Sequence, residues 1–106
     1  MRQKHNKLIR DHIPEIICQT GQKCGVETMS QTDYHQALLN KLIEEAKEAA
    51  EAKSDNLVEE LADIYEVIDA ILANLEIDKD IVLNKQEQKR QKKGVFTKKL
   101  RLLWTE

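Results

Sequence analysis

The sequence predicts an all-helical fold. Glycine and proline, which most often interrupt helices, number only three and one among 106 residues, whereas 34 % of the residues are charged and 41 % are hydrophobic. Glu, Lys, Leu and Ala are abundant, and these are strong helix formers. In the middle of the chain, apolar residues recur at intervals of three and four, which is the spacing of one helix face. We therefore expect residues 1–106 to form one helical domain.

Turn and capping residues divide the chain into four predicted helices. Pro14 suits the first turn of the first helix, and Gly94 can end the last one. Asp33, Asn56 and Asp78 are candidate caps for the second, third and fourth helices. The predicted helices are Pro14 to Thr20, Tyr34 to Ala52, Leu57 to Leu75, and Asp78 to Lys93.

A minor two-stranded β element is also predicted. Val26-Glu27-Thr28-Met29 alternates apolar and polar residues, which is typical of a short strand. The segment from Val95 to Trp104 contains two apolar clusters around Lys98 and Lys99. We expect this C-terminal segment to pair with the strand from Val26 to Met29.

Each central helix has an apolar stripe bordered by carboxylates. A short loop joins the helices, so we expect an antiparallel helical hairpin with the two stripes facing each other. In that arrangement Glu45 and Glu48 on the first helix and Glu60 and Asp63 on the second emerge on the same side of the seam. The predicted stripes are Leu38, Leu42, Ala46 and Ala49 on one helix, and Leu57, Leu61, Ile64, Ile68 and Leu75 on the other.

Four carboxylates gathered at one place point to a metal ion. Such a cluster is costly through repulsion and desolvation unless a cation is bound. Ligation by oxygen alone favours magnesium, manganese or calcium over zinc, and magnesium usually retains positions for water and phosphate oxygens. For either half of the pattern alone, an ordinary solvated acidic face is the alternative.

The net charge of −2 conceals a strong separation of charge along the chain. From Glu44 to Asp69 there are ten acidic residues and two basic ones, whereas Lys85 to Arg101 holds eight basic residues and one acidic residue. A basic segment can bind nucleic acid. It can also bind the phosphates of a substrate whose cation is held by the acidic segment. Charge alone does not decide between these two interpretations.

Three ordered motifs resemble the MazG-like all-α NTP pyrophosphohydrolases. The first is Glu44-Glu45-x-x-Glu48 followed by Glu60-x-x-Asp63. The second, from Lys7 to Ile17, reads KLIRDHIPEII and is similar to the amino-terminal signature of a small single-domain subgroup. The third, from Lys92 to Phe96, reads KKGVF and resembles the subgroup's carboxy-terminal signature, in which Arg-Gly-Gly-Phe is usual. Here Lys93 replaces the arginine and Val95 the second glycine.

The resemblance implies a MazG-like helical bundle that hydrolyses non-canonical or surplus nucleoside triphosphates to the monophosphate and pyrophosphate, a house-cleaning role. The implied cofactor is Mg²⁺, for which Mn²⁺ can substitute. Glu44 and Glu45 are the implied catalytic residues, with Glu44 as a supporting residue or as the base that positions water. The implied metal ligands are Glu45, Glu48, Glu60 and Asp63. The residues expected to neutralise phosphate charge are Lys7, Arg10, Lys89 and Lys93.

Two other functions are compatible with the sequence. Phosphoribosyl-ATP pyrophosphohydrolase shares the helical fold and the acidic motif, although the Lys7 to Ile17 signature argues against it. A non-enzymatic helical interaction module, binding nucleic acid through Lys85 to Arg101, belongs to another class and leaves the carboxylate pattern unexplained.

Two further expectations concern assembly and location. One side of the hairpin's apolar stripe has little to cover it, so we expect a homodimer or a higher even homo-oligomer that completes a four-helix bundle. No apolar run approaches the roughly 20 residues needed to cross a bilayer. The polar, basic N-terminus has no apolar signal region, so a cytoplasmic location is expected.

Overall fold

The computed structural model describes residues 2–106 and contains four α-helices, with no β-strand among these residues. The all-helical prediction is therefore confirmed. The helices are α1 (Ile13–Gln19), α2 (Gln31–Glu51), α3 (Ser54–Asn74) and α4 (Lys79–Lys93).

The two long helices each begin three residues earlier than predicted. Ser30, not Asp33, is the cap of α2, because its side-chain oxygen accepts a hydrogen bond from the backbone N–H of Asp33 at 3.2 Å. Asp33 lies instead in the first turn, where its negative charge favours the helix dipole. Asn56, the expected cap of α3, lies inside that helix, so only Ala52 and Lys53 connect α2 to α3.

The fourth helix agrees with its prediction at both ends. The Asp78 side chain accepts from the backbone N–H of Asp80 at 2.9 Å, which caps α4. Gly94 follows the last turn with φ of 87°, a backbone conformation that other residues adopt only with strain. Three basic residues in the last turn suit the negative end of the helix dipole.

The prediction of a two-stranded β element is wrong. Residues 26–29 are non-helical but form no ladder, and the segment after Gly94 does not pair with them. The one backbone hydrogen bond within that segment, from Lys99 N–H to the Phe96 carbonyl, closes a local turn. A single extended segment is not stable as a strand without a partner strand. The C-terminal segment that was expected to pair with it follows α4, which directs that segment away from residues 26–29.

The core of the described chain is the contact between α2 and α3. The side-chain amide of Gln31 donates a hydrogen bond to Asn74 Oδ1, so the start of α2 lies beside the end of α3. In contrast, every residue of α4 is exposed. An ion pair links α4 to α3, between Lys79 Nζ and Asp69 Oδ1 at 3.3 Å.

The seam between α2 and α3 is rotated relative to the predicted one. Leu38 is buried as expected, but Ala46 is exposed and the neighbouring Glu45 is buried in its place. On α3 the buried residue is Val67, whereas Leu61 is 45 % exposed. This helix carries apolar residues around more than half of its circumference, and only one row of them can face α2. The large apolar residues left exposed on α3 and at its C-terminal cap are Leu57, Val58, Leu61, Tyr65 and Leu75.

Two smaller findings concern membranes and thiols. Within residues 2–106, none of the helices combines the length and the apolar character that a membrane crossing requires. Cys18 and Cys24 are both exposed, and neither forms a disulfide.

Candidate metal centre

Carboxylates from α2 and α3 converge at the seam in two overlapping groups. Glu45, Glu60 and Asp63 each offer an oxygen atom within 4.8 Å of the others, and Glu44, Glu45 and Glu48 do the same. The first group joins residues on different helices, and the second comes from two turns of α2. Because Glu45 belongs to both groups, it is the centre of the arrangement.

Glu45 is an unusual residue in a chain with so small a core. It is only 6 % exposed, and its Oε2 atom is buried without a hydrogen-bond partner. Burial raises the pKa of Glu45 above its ordinary value, and the neighbouring carboxylate of Glu48 acts in the same direction. The charge of Lys41 opposes this rise, and Asp63 adds to it. The protein thus holds a carboxylate where its ionised form is disfavoured unless a cation is present.

The structure brings the four predicted ligands together unevenly. Glu45, Glu60 and Asp63 form one group, and the buried Oε2 of Glu60 also has no partner. Glu48 is exposed and groups with Glu44 and Glu45 rather than with Glu60. The expectation that all four carboxylates gather at one place therefore does not hold for Glu48 and Glu60, which belong to different groups.

Two basic side chains balance part of this negative charge. Arg10 Nη2 donates to Asp63 Oδ1 at 2.7 Å, so a residue predicted to contact phosphate is instead paired with a predicted metal ligand. Lys41 Nζ lies 3.6 Å from an oxygen of Glu44 and 3.6 Å from an oxygen of Glu45. Lys41 is not among the predicted site residues, although its spacing of three and four residues from these glutamates could have revealed it.

A cleft of about 240 Å³ opens beside the carboxylates. Lys7, another predicted phosphate contact, lines it together with Lys41 and Glu44. The remaining lining residues are two amides and three apolar side chains, namely Asn6, Asn40, Leu8, Met29 and Ala37. The cleft therefore offers both charged and apolar surface at the edge of the acidic centre.

The other two predicted phosphate contacts lie elsewhere. Lys89 and Lys93 line a groove on one face of α4, together with Lys85, Gln88 and Lys92. Since α4 does not pack on α2 or α3, a single chain does not bring these lysines to the carboxylates.

The acidic centre fits a hard divalent cation. All its donors are carboxylate oxygens, which suit Mg²⁺ or Mn²⁺ better than Zn²⁺. Two of these oxygens, Glu45 Oε2 and Glu60 Oε2, are buried without a hydrogen-bond partner in the protein, and a bound cation would supply the missing partner. Comparison of the chain with protein-family models, with curated proteins and with solved structures gave no match.

Proposed function

We propose that this chain is a magnesium-dependent nucleoside triphosphate pyrophosphohydrolase. It would hydrolyse non-canonical or surplus nucleoside triphosphates to nucleoside monophosphate and pyrophosphate, as a house-cleaning enzyme of the cytoplasm. The proposed fold is a MazG-like bundle in which α2 and α3 form the central antiparallel hairpin.

The observation that carries the proposal is the Oε2 atom of Glu45, which is buried without a hydrogen-bond partner between two groups of acidic side chains. A solvated acidic face, the simplest alternative, would leave each carboxylate in water. Burying an unpaired acceptor costs about 1–3 kcal/mol, and more when it is charged. A cation bound by Glu45, Glu60 and Asp63 would remove that cost, and Glu48 could complete the ligand set.

Three ordered sequence motifs support this reaction class over other uses of a divalent cation. The acidic motif lies on α2 and α3, and the KLIRDHIPEII motif supplies Lys7 and Arg10 next to it. The KKGVF motif spans the end of α4. A generic cation site would need only the first motif, whereas triphosphate hydrolysis also needs basic residues for the leaving group.

When bound, Mg²⁺ would supply charge neutralisation at phosphate oxygens and a lowered pKa for an attacking water. The chain's own residues would do the rest. Glu44, which is half-buried and ion-paired with Lys41, can accept a proton from that water. Lys7 and Lys41 can neutralise charge on the phosphates from the cleft side. Arg10 can do so after leaving Asp63, because both groups are substantially exposed at their ion pair.

The cleft beside Glu44 is the proposed place for the nucleoside. Its apolar residues can contact the face of a base, and the amides of Asn6 and Asn40 can bond to its edge. The Oδ1 atom of Asn40 accepts from Gln36 Nε2 at 3.0 Å, which leaves the Asn40 Nδ2 group to donate. A donor there favours bases with a carbonyl oxygen over bases with an amino group.

A turnover assay tests the proposal. The chain is incubated with ordinary and damaged nucleoside triphosphates and with phosphoribosyl-ATP, in Mg²⁺ or in a chelator, and the products are separated by ion-exchange chromatography. We expect monophosphate and pyrophosphate, without a diphosphate intermediate, and only when Mg²⁺ is present. Turnover confined to phosphoribosyl-ATP would favour the alternative enzyme, and orthophosphate as the first product would reject the proposal.

Single substitutions then test the residue assignments. Glu45→Gln, Glu48→Gln, Glu60→Gln and Asp63→Asn should each remove most activity while the helical circular dichroism is retained. Glu51→Gln and Glu66→Gln are matched controls, since these residues are exposed on the same helices and belong to neither carboxylate group. If all four site variants turn over substrate as fast as the controls, the metal ligands are wrongly assigned.

A further inference from the structure

The C-terminal arm, defined here as α4 together with residues 94–106, projects away from α2 and α3. At about 1.5 Å per residue, α3 is roughly 32 Å long and α4 roughly 22 Å. The longest dimension of the described chain is 60 Å, close to the two helices placed end to end. All side chains of the arm are exposed.

The connection between α3 and α4 holds the arm in this direction. The backbone N–H of Ile77 donates to the Leu72 carbonyl at 2.9 Å, and Asp78 caps α4 directly afterwards. The ion pair between Lys79 and Asp69 adds a side-chain link at the same corner. Because the connection between α3 and α4 is short and held by these bonds, the arm does not fold back onto its own α2 and α3.

The arm and α3 both present apolar surface that nothing in the single chain covers. Exposed apolar residues of α3 and its C-terminal cap form an outer face, defined here as Val58, Leu61, Tyr65 and Leu75, which are 45–75 % exposed. On the arm the most exposed large apolar residues, 72–97 % accessible, are Phe96, Leu100, Leu102, Leu103 and Trp104.

The total exposed area indicates a large missing interface. The described chain exposes 10268 Å², whereas a folded monomer of 12.3 kDa typically exposes about 6,100 Å². The excess of roughly 4,000 Å² exceeds the 1,000–2,500 Å² or so that each subunit of an obligate dimer buries. The chain therefore has more than enough uncovered surface for a dimer interface with a second copy.

Charge favours the same occupant. The arm contains all eight basic residues between Lys85 and Arg101, and ten acidic residues lie between Glu44 and Asp69 on α2 and α3. An arm that crosses to another copy would place opposite charges together in both directions, as a two-fold symmetric dimer requires.

The lengths of the elements match as well. Lys93 lies fourteen residues beyond Lys79, and Glu45 lies fourteen residues beyond Gln31, so both distances along the helices are about 21 Å. The start of α2 lies beside the end of α3, so an arm that entered at that level and ran along the outer face of a partner's α3 would bring its Lys93 level with the partner's acidic centre.

We propose that the C-terminal arm of one copy packs against the outer face of a second copy, and that its Lys89 and Lys93 serve the carboxylate centre of that second copy. The packing of the arm is independent of the proposed enzymatic function, whereas the role of the two lysines rests on it. Two experiments separate these parts.

The first experiment uses Trp104, the only tryptophan of the chain, as a probe of packing. We expect a dimeric or larger mass by light scattering, with blue-shifted Trp104 emission that moves to the red as the protein is diluted below its association range. Leu61→Asp should shift both the mass and the emission towards the monomer, because it puts a charge on the outer face. Ala50→Asp is the matched control at an exposed position of α2 and should change neither.

Three results would overturn the packing. A monomer with blue-shifted, dilution-independent emission would mean that the arm folds onto its own chain. A dimer with red-shifted emission would mean that the arm is not in the interface. A monomer that binds RNA or DNA with steep salt dependence would assign the basic arm to nucleic acid instead.

The second experiment is subunit complementation with two inactive full-length proteins. One carries Glu45→Gln and Glu60→Gln, and the other carries Lys89→Gln and Lys93→Gln. After unfolding and refolding together, they should recover about a quarter of the wild-type rate, since about half of the dimers are mixed and each mixed dimer holds one intact site. No recovery in verified mixed dimers would reject the lysine role. If wild-type protein hydrolyses no triphosphate, the proposed function fails while the Trp104 result still decides the packing.

Discussion

Replacement of Glu45 by glutamine should stabilise the metal-free protein and abolish its stabilisation by Mg²⁺. Glu45 is 6 % exposed, and the carboxylate oxygens of its two groups lie within 4.8 Å of one another. Two unit charges at that distance repel by about 3.5 kcal/mol at an effective dielectric constant of about 20. Lys41, 3.6 Å from Glu45, offsets the repulsion from roughly one neighbouring carboxylate, and solvent screens the charges of the exposed carboxylates. A net free energy of about 1–2 kcal/mol then still disfavours the ionised form of Glu45.

The expected effect is measurable by thermal unfolding. For a domain of about 100 residues, 1 kcal/mol changes Tm by roughly 4–8 °C. Glu45→Gln should therefore raise Tm in chelator by at least about 4 °C, at a fixed protein concentration. Wild-type protein should gain Tm on addition of Mg²⁺, and the variant should not.

The exposed Glu51→Gln is the control, and it should behave as wild type with and without Mg²⁺. A Glu45→Gln variant that melts lower than wild type in chelator and still gains Tm with Mg²⁺ would refute the reasoning. Such a result would mean that Glu45 is satisfied without a cation and binds none.

Three further predictions follow from the same centre. Because burial raises the pKa of Glu45 above its ordinary value, the metal-free folded protein binds a proton at Glu45 more tightly than the unfolded chain does. As the pH rises through the raised pKa, the Tm of the wild-type protein in chelator should therefore fall, and the increase in Tm on addition of Mg²⁺ should grow. Glu45→Gln should flatten the pH dependence of both quantities. Arg10→Gln frees Asp63, so Mg²⁺ should bind more tightly by calorimetry while the KM for triphosphate rises about tenfold through the lost charged hydrogen bond. Asn40→Ala should lower kcat/KM about tenfold for triphosphates whose base carries a carbonyl oxygen, with little change for amino bases; equal losses for both would reject the base contact.

Helix content and the local part of the site could be predicted because both depend on short-range spacing. Residues three and four apart on a helix are neighbours whatever the rest of the chain does, so the Glu44, Glu45 and Glu48 group follows from the sequence of α2. The same rule fixes that Glu60 and Asp63 share a face of α3. The error in the start of α2 is also local, because Ser30 and Asp33 are both capping residue types and lie about one helical turn apart.

The remaining features depend on long-range packing, which spacing does not determine. Two apolar rows of α3 were equally able to face α2, and the row with Val67 does so, which buries Glu45 and leaves Leu61 outside. The contact between Arg10 and Asp63 joins residues 53 positions apart. The missing β element has the same cause, because pairing with residues 26–29 depended on the direction in which α4 leaves the fold.

The central claim is that water attacks the α-phosphorus of a nucleoside triphosphate at this acidic centre. Hydrolysis in ¹⁸O-labelled water with Mg²⁺, followed by mass spectrometry of both products, tests it most directly. The account predicts label in the nucleoside monophosphate, unlabelled pyrophosphate, and no hydrolysis by Glu45→Gln. Label found only in pyrophosphate would mean attack at the β-phosphorus, and labelled orthophosphate from the first turnover would mean removal of the γ-phosphate; either result would contradict the account.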